Sequence, residues 1–191
     1  LTEEVQVDVA EEHASSVGLR TTPWPHPCRR RSESARYLPD VRVLMLSWEY
    51  PPRVVGGIAT HVEGLATALH RRGDDVVVVT LDHPGQPDDA VVDGVRVIRA
   101  DASLPWIPDE NLVARMASAN HHLVRAVARL DGWAPDVVHA HDWLVAWAGD
   151  TLAGLFGVPL VATIHATERG RHGGHVPPGL PAEINSVEWW L

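Results

Sequence analysis

The amino-acid sequence predicts an α/β fold for residues 41–191, a Rossmann-like parallel sheet with helices on both faces. Two observations carry this prediction. Short aliphatic runs recur along the chain, and continuous runs of this kind are typical of strands that are covered on both faces. Between them lie segments whose apolar residues follow helical spacing, and strands that alternate with helices form right-handed crossovers in a parallel sheet. A chain of 191 residues has room for one such domain.

Five strands are predicted from short runs of aliphatic and β-branched residues. They are Val41–Ser47, Val76–Thr80, Val95–Ala100, Val137–Ala140 and Leu160–Ile164. In a parallel α/β sheet ligands bind beyond the carboxyl ends of the strands. The residues that follow each run are therefore the first candidates for a functional site.

Three helices are predicted between the strands. The first begins at Ile58 and stops at Gly73, the second spans about Asp109 to Leu130, and the third spans about Leu144 to Phe156. Each has apolar residues at the spacing of one helix face, and a glycine follows each end. For the tryptophan pair near the end of the chain, Trp189 and Trp190, we favour a place in the core, and the alternative is an exposed edge left by truncation.

Residues 1–40 differ in composition from the rest of the chain. They are rich in charge and serine, and proline occupies positions 23, 25 and 27. Alternating prolines exclude a helix and make a poor strand. We therefore expect a weakly ordered N-terminal extension, followed by one domain over residues 41–191.

Charge and cysteine content exclude several classes of protein. The formal net charge is −9, with 25 acidic and 16 basic residues, and the sequence has no lysine. We expect no nucleic-acid partner, because such proteins carry basic surfaces. The single cysteine, Cys28, excludes an internal disulfide. No apolar run approaches the roughly 18–20 residues of a membrane helix, so we expect no integral membrane segment and a cytoplasmic location.

The first predicted strand leads into a glycine pair directly before a helix. Gly56 and Gly57 precede the helical pattern that begins at Ile58. Glycine lets backbone N–H groups approach a ligand closely, and a helix start adds unpaired donors and a partial positive charge. The pair is compatible with a phosphate-binding loop, but a glycine pair by itself is more often a simple tight turn.

Two further strand ends carry histidines and carboxylates. His139, His141 and Asp142 lie at the end of the fourth predicted strand, and His165 and Glu168 follow the fifth. If the strands are parallel, these groups and the glycine loop converge at one edge of the sheet. His139 alternates with Ala140 and is compatible with an interior packing role. The other polar residues lie past the strand ends, where packing has less demand for them, and this favours function.

A metal-dependent hydrolase is an alternative reading of the same residues. The candidate ligands of zinc or of two metals are His139, His141, Asp142, His165, His172 and His175. The last two lie in a glycine-rich segment, and ligands on mobile loops hold a metal poorly. We therefore predict no metal site.

Three segments, in this order, carry a family resemblance. They are Ser47–Pro52 with Gly56-Gly57, Val137–Trp143, and Val161–His165. Residues 41–191 thereby resemble the N-terminal, acceptor-side domain of retaining GT-B fold glycosyltransferases, the glycogen and starch synthase-like or glycosyltransferase family 4-like kind.

The resemblance implies a role for each matching position. Gly56 and Gly57 would contact the diphosphate of the donor, with Arg53 as the nearest cation. Asp142 and His165 are the implied catalytic residues beside the transferred sugar. The implied sugar or acceptor contacts are His61, His141, Trp143 and Glu168.

The implied reaction is transfer of a hexosyl group, glucosyl favoured, to an acceptor hydroxyl with retention of configuration. The co-substrate would be a nucleotide sugar, ADP- or UDP-glucose favoured, the acceptor a glycan or another hydroxyl compound, and no metal or other cofactor is required. In this family a second, C-terminal domain binds the nucleotide. The chain stops at Leu191, so we expect a truncated fragment that is inactive alone. A non-catalytic glycan- or nucleotide-binding module is the alternative.

Overall fold

The computed structural model describes residues 40–102, 108 and 110–191. Our expectation of a weakly ordered extension at residues 1–40 falls, apart from Asp40, outside these ranges. Within them, no helix is both long and apolar enough to cross a membrane.

One six-stranded sheet organises the described part of the chain. Its strands are β1 Arg42–Ser47, β2 Asp75–Leu81, β3 Asp89–Val92, β4 Val95–Ala100, β5 Val137–His141 and β6 Leu160–Thr163. Their order across the sheet is β3-β4-β2-β1-β5-β6. Every neighbouring pair is parallel except β3 and β4. The predicted α/β, Rossmann-like fold class is confirmed, and each of the five predicted strands lies within one residue of its expected ends.

The antiparallel strand β3 is the one strand that the sequence analysis missed. It forms a hairpin with β4 through Asp93 and Gly94, which have φ angles of 50° and 86°. Positive φ at both central residues is the geometry of a tight hairpin turn, and Asp-Gly is a favoured pair for it. The sheet is therefore mostly, and not wholly, parallel.

Five α-helices surround the sheet in the described ranges. They are α1 Gly57–Arg72, α2 Leu112–Val127, α3 Ala146–Phe156, α4 Glu168–Arg171 and α5 Leu180–Trp190. The first three were predicted. However, α2 is shorter than expected, and α3 begins later because a 3₁₀ turn, Trp143–Val145, precedes it. The sequence analysis did not predict α4 or α5.

Strand β1 separates two cores because its side chains alternate between the faces of the sheet. Leu44 and Leu46 pack with residues of α2 and α3. Val43 and Met45 pack with Val62 and other residues of α1 on the opposite face. The prediction that helices cover both faces of the sheet is confirmed. Strand β1 is therefore held by packing on both of its faces.

The expectation that Trp189 and Trp190 belong to the core is wrong. Their exposed fractions are 76% and 54%. The buried residue of α5 is Ile184, which packs with Met116 and Trp143. At about 100° per residue, positions 189 and 190 point more than about 100° away from Ile184.

Candidate functional site

The candidate site lies at the carboxyl edge of the three neighbouring strands β1, β5 and β6. The register places Ser47 of β1 beside His141 of β5, and His141 beside Thr163 of β6. From β1 the chain continues to β2 on one side, whereas β5 occupies the other side. This is the reversal point where open α/β sheets bind ligands. The prediction that the three strand ends meet at one edge is confirmed.

Three imidazoles from different elements meet at this edge. His61 projects from α1, His141 ends β5, and His165 follows β6. Nδ1 of His141 and Nε2 of His165 lie 3.3 Å apart. The ring of His61 lies edge-on to that of His165, with centroids 4.9 Å apart. Helix α1, which begins at the glycine loop, is thus in contact with the last predicted strand end.

Burial keeps most of the histidines at this edge uncharged at neutral pH. His141 is 0% exposed, and burial, followed by the neighbouring histidines, lowers its pKa to about 3. Burial likewise lowers the pKa of His139 and of His165. Nε2 of His141 has no hydrogen-bond partner among the described residues. Such buried orphan atoms are uncommon in folded proteins.

His139 is held inside the sheet, as its alternation with Ala140 allowed. Its Nε2 lies 2.8 Å from Oγ1 of Thr163. Its ring stacks close to that of His141, with centroids 4.1 Å apart. His139 therefore packs against His141, its neighbour two positions along β5, and is itself bound to Thr163 of β6.

Asp142 turns the chain sharply at the end of β5. Its φ of 71° is unusual for a residue other than glycine. Its carboxylate accepts a hydrogen bond from the N–H of Trp143 at 2.8 Å, and burial raises its pKa. We expected His141 and Asp142 to lie past the strand, where packing is loose. The position is correct for Asp142, which follows β5, and wrong for His141, which belongs to β5, and both residues are buried.

Glu49 organises the glycine loop, a role that the sequence analysis missed. Its side chain is 3% exposed. Its carboxylate accepts hydrogen bonds from the backbone N–H groups of Val55, of Gly56 at 2.9 Å and of Ala59 at 3.3 Å. An anion at a helix N-terminus is favoured by the unpaired donors and the helix dipole. The signal in the sequence that could have indicated this role was an acidic residue seven positions before Gly56.

The fold of this chain does not itself demand glycine at positions 56 and 57. Gly56 is extended, with φ −153°, and neither residue has a positive φ. A methyl group on Gly57 would meet no atom within 4 Å, and one on Gly56 would meet only the Glu49 carboxylate, at 3.6 Å. The surface of the loop is therefore open to close approach by a ligand.

The remaining predicted site residues take up different positions. A guanidinium nitrogen of Arg53 donates to the carbonyl oxygen of Asp82 beyond β2, at 3.4 Å. Trp143 is 7% exposed and packs in the core cluster of Ile184. Glu168, at the start of α4, forms an ion pair with Arg171, and its carboxylate lies 3.2 Å from Nε2 of His172. These placements leave the functional assignments of Arg53, Trp143 and Glu168 as predictions.

The fold and the position of the site define a class, that of Rossmann-like domains that bind a ligand beyond the carboxyl ends of parallel strands. Residues 56–190 match the model of the glycosyl transferase 4-like domain, and the chain belongs to this family. The sequence resemblance to GT-B glycosyltransferases of the glycogen synthase kind is thereby confirmed.

Curated relatives agree with this family. The chain is 45% identical over 167 residues to a glycogen synthase of Mycobacterium tuberculosis, in an alignment that covers 79% of the chain and 40% of the relative. It is 37% identical over 134 residues to an uncharacterized glycosyltransferase of Methanocaldococcus jannaschii, covering 70% of the chain and 33% of the relative. The chain thus spans 40% or less of the length of these relatives.

Solved structures share the fold. Sucrose-phosphate synthase from Thermosynechococcus elongatus aligns with a TM-score of 0.58 and 23% identity, over 78% of this chain and 39% of that one. The catalytic domain of starch synthase IV from Arabidopsis thaliana, bound to ADP and acarbose, aligns with a TM-score of 0.55 and 19% identity, over 67% and 34%. At these identities the likeness concerns the fold.

Proposed function

We propose that this domain is the acceptor-side half of a retaining glycosyltransferase that transfers a hexosyl group, glucosyl favoured, from a nucleotide sugar to an acceptor hydroxyl. The observation that carries the proposal is the contact of His61 with His165, whose ring centroids lie 4.9 Å apart. It joins the helix of the glycine loop, the proposed donor side, to the strand end that would hold the transferred sugar. The synthase relatives favour a glucosyl donor.

On the donor side, we assign the diphosphate contact to the glycine loop. In the family scheme negative charge develops on the leaving diphosphate, and preorganised N–H donors stabilise that charge in the transition state. The N–H of Gly57 has no acceptor among the described residues outside its own helix. The N–H of Gly56 already donates to Glu49, so it would exchange that carboxylate for a phosphate oxygen. Arg53 is the nearby cation of the loop.

On the sugar side, we assign His165 and Asp142 to the reacting centre. His165 is half-buried beside His61 and His141, and an uncharged imidazole can both donate to and accept from sugar hydroxyls. The carboxylate of Asp142 interacts electrostatically with His165 and would favour positive charge that develops on the sugar. His61, His141, Trp143 and Glu168 are the proposed sugar or acceptor contacts. This scheme needs no metal.

The chain covers 40% of the glycogen synthase relative. We therefore propose that a second domain supplies the nucleotide contacts and that the 191-residue chain alone binds the donor weakly and transfers slowly or not at all. The cytoplasm remains the proposed compartment, since the single cysteine allows no internal disulfide.

The decisive experiment measures transfer from ADP- and UDP-glucose to a glucan by the full-length gene product that contains this chain. His165→Ala and Asp142→Ala should each reduce transfer by about 100-fold or more, a loss typical of groups that act on the transition state. His121→Ala, on the exposed side of α2, is the control and should leave transfer unchanged. Full transfer by both variants would show the site assignment to be wrong.

The same assay separates the proposal from a binding module and from a metal hydrolase. A non-catalytic module would bind nucleotide or glycan in calorimetry without any transfer by the full-length product. A metal-dependent hydrolase would lose its activity on dialysis against a chelator. The anomeric configuration of the product, read by NMR, tests retention.

A further inference from the structure

We propose that His61, His141 and His165 form a binding site for a Zn²⁺ ion, and that the bound ion blocks the sugar side of the cleft. One ligand nitrogen of each residue can be chosen so that all three lie within 4.8 Å of one another. Binding of the ion to this site does not depend on the proposed glycosyl transfer. Only the blocking effect does.

The spacing of two of the nitrogens already fits zinc. In a tetrahedral site with Zn–N bonds of about 2.0–2.1 Å, neighbouring nitrogens lie about 3.3 Å apart. Nδ1 of His141 and Nε2 of His165 are separated by 3.3 Å. This contact is a hydrogen bond between the two rings, so binding of an ion would release the bridging proton and turn both nitrogens toward the ion.

His61 is able to complete the set because it is exposed and lies on the near face of α1. An exposed side chain changes rotamer on a picosecond to nanosecond timescale, so a shift of its ring toward the other two is rapid. His141, by contrast, is fully buried at the end of a central strand. A site with one ligand at the end of a strand, one just after the neighbouring strand and one on a packed helix is more rigid than a site on a loop.

The surroundings favour a divalent cation of the zinc type. Imidazole nitrogens suit Zn²⁺, Cu²⁺ and Ni²⁺, whereas Mg²⁺ and Ca²⁺ prefer oxygen ligands. The carboxylates of Asp142 and Glu49 both act electrostatically on His165, and their negative charge attracts a cation. Three protein ligands leave a fourth position for water or a hydroxyl group.

This set differs from the ligands that the sequence suggested for a metal hydrolase. His172 and His175 are exposed and are not part of the group of three, and His139 is engaged with Thr163. Because the imidazoles of the group are the same ones that we assign to the transferred sugar, an ion among them would compete with the substrate. We therefore assign the ion an inhibitory role.

The site is tested on the 191-residue chain by calorimetric titration with Zn²⁺ and by visible absorption of added Co²⁺, which absorbs strongly only in tetrahedral sites. The chain should bind one Zn²⁺ tightly and give the tetrahedral cobalt spectrum. His61→Ala and His165→Ala should each lose both signals. The matched controls His121→Ala and His122→Ala, which remove adjacent histidines of α2, should keep them.

Circular dichroism melting of each variant shows whether it is folded. The substitution His61→Ala should disturb the fold least, because the side chain of His61 is exposed. Unchanged Zn²⁺ affinity in both folded variants would overturn the proposal, as would an octahedral cobalt spectrum of the unaltered chain. An excess of Mg²⁺ should not displace the ion.

The blocking effect is tested separately on the full-length product, where Zn²⁺ should inhibit transfer and a chelator should restore it. Transfer that continues with the ion bound would overturn the inhibitory role. If the product shows no transfer at all, the proposed function fails, and the cobalt spectrum still decides whether the site exists.

Discussion

The buried carboxylate of Glu49 accepts a hydrogen bond from the N–H of Gly56, with an oxygen 2.9 Å from the nitrogen. A protein carboxylate thus lies at the start of α1, the position that we propose for an oxygen of the donor diphosphate. Ser47 holds the same segment, since its Oγ donates to the carbonyl oxygen of Glu49 at 2.6 Å. The carboxylate of Glu49 therefore holds the glycine loop in its shape when no ligand is bound.

Replacing Glu49 by alanine should destabilise the domain by about 1–3 kcal/mol, because backbone N–H groups of the loop lose their buried acceptor. Asp150→Ala removes an exposed carboxylate from α3 and should change the free energy of unfolding by less than about 0.5 kcal/mol. Urea denaturation of both variants measures the difference. Equal stability of the two would show that the carboxylate does not hold the loop.

Gly57→Ala should leave the fold intact and impair the donor site. A methyl group there meets no atom within 4 Å, and alanine is favoured over glycine in a helix. The unfolding free energy should therefore stay the same or rise slightly. The added methyl would stand between the loop and a diphosphate, so transfer by the full-length product should fall by about tenfold or more, a loss of at least about 1.4 kcal/mol in ΔG‡.

The control for that variant is Gly154→Ala, on the exposed side of α3, where a methyl group also meets no atom within 4 Å. It should match Gly57→Ala in stability and keep full transfer. Unimpaired transfer by Gly57→Ala would remove the glycine loop from the donor site.

The stability of the domain should fall on mild acidification because of His141. Its pKa is about 3 in the folded protein and about 6.5 in an unfolded chain. Between these values the unfolded state binds more protons, so stability rises with pH and is lost as pH falls. His139 and His165, whose pKa values are also lowered, act in the same direction. Asp142, with a raised pKa, opposes them.

From pH 6.5 to pH 4.5 we expect a loss of about 2 kcal/mol that is attributable to His141. His141→Gln, which does not titrate, should show a shallower slope of unfolding free energy against pH. The slope is compared and not the absolute stability, because the substitution itself disturbs a buried site. Parallel curves for the two proteins would contradict the prediction.

Substitution of the exposed tryptophans should cost little stability. Trp189 and Trp190 are 76% and 54% exposed, and exposed positions usually contribute less than about 0.5 kcal/mol. The double variant Trp189→Ser, Trp190→Ser should unfold at the same urea concentration as the unaltered chain. Ile184→Ala on the same helix, which removes a buried side chain, should destabilise by about 2–4 kcal/mol. If the double tryptophan variant lost as much unfolding free energy as Ile184→Ala, the tryptophans would belong to the core.

The strands were predictable because their residues are continuous and β-branched, and that pattern arises only where both faces are covered. The short strand β3 was missed because Asp89–Val92 has only half-buried or exposed residues. Its signal was the following Asp93-Gly94 pair, which favours a hairpin turn. Helix α5 was missed because few of its residues are buried, so its sequence lacks a clear apolar face.

The sequence predicted which strand ends carry the residues of the site. It did not predict which of their side chains are in contact. Spacing along the chain placed His141 and His165 at one edge of the sheet. It also placed His61, one turn into the helix after the glycine loop, at the same edge. It did not predict the ring contact of His61 with His165, since that contact depends on how α1 lies across β1. The burial of Asp142 and the hydrogen bonds of Glu49 likewise arise from the tertiary fold, and no local pattern encodes them.

The pairing of Ser47 with His141 and of His141 with Thr163 has a consequence for local opening. The β1–β5 ladder lies in the middle of the sheet, whereas β6 is an edge strand, so the backbone amides of β1 and β5 should exchange hydrogen with solvent only when most of the domain unfolds. Helices α4 and α5, which bury few side chains, should exchange far sooner. The β1 and β5 backbone that carries His141 would thus persist through fluctuations that release residues 168–190.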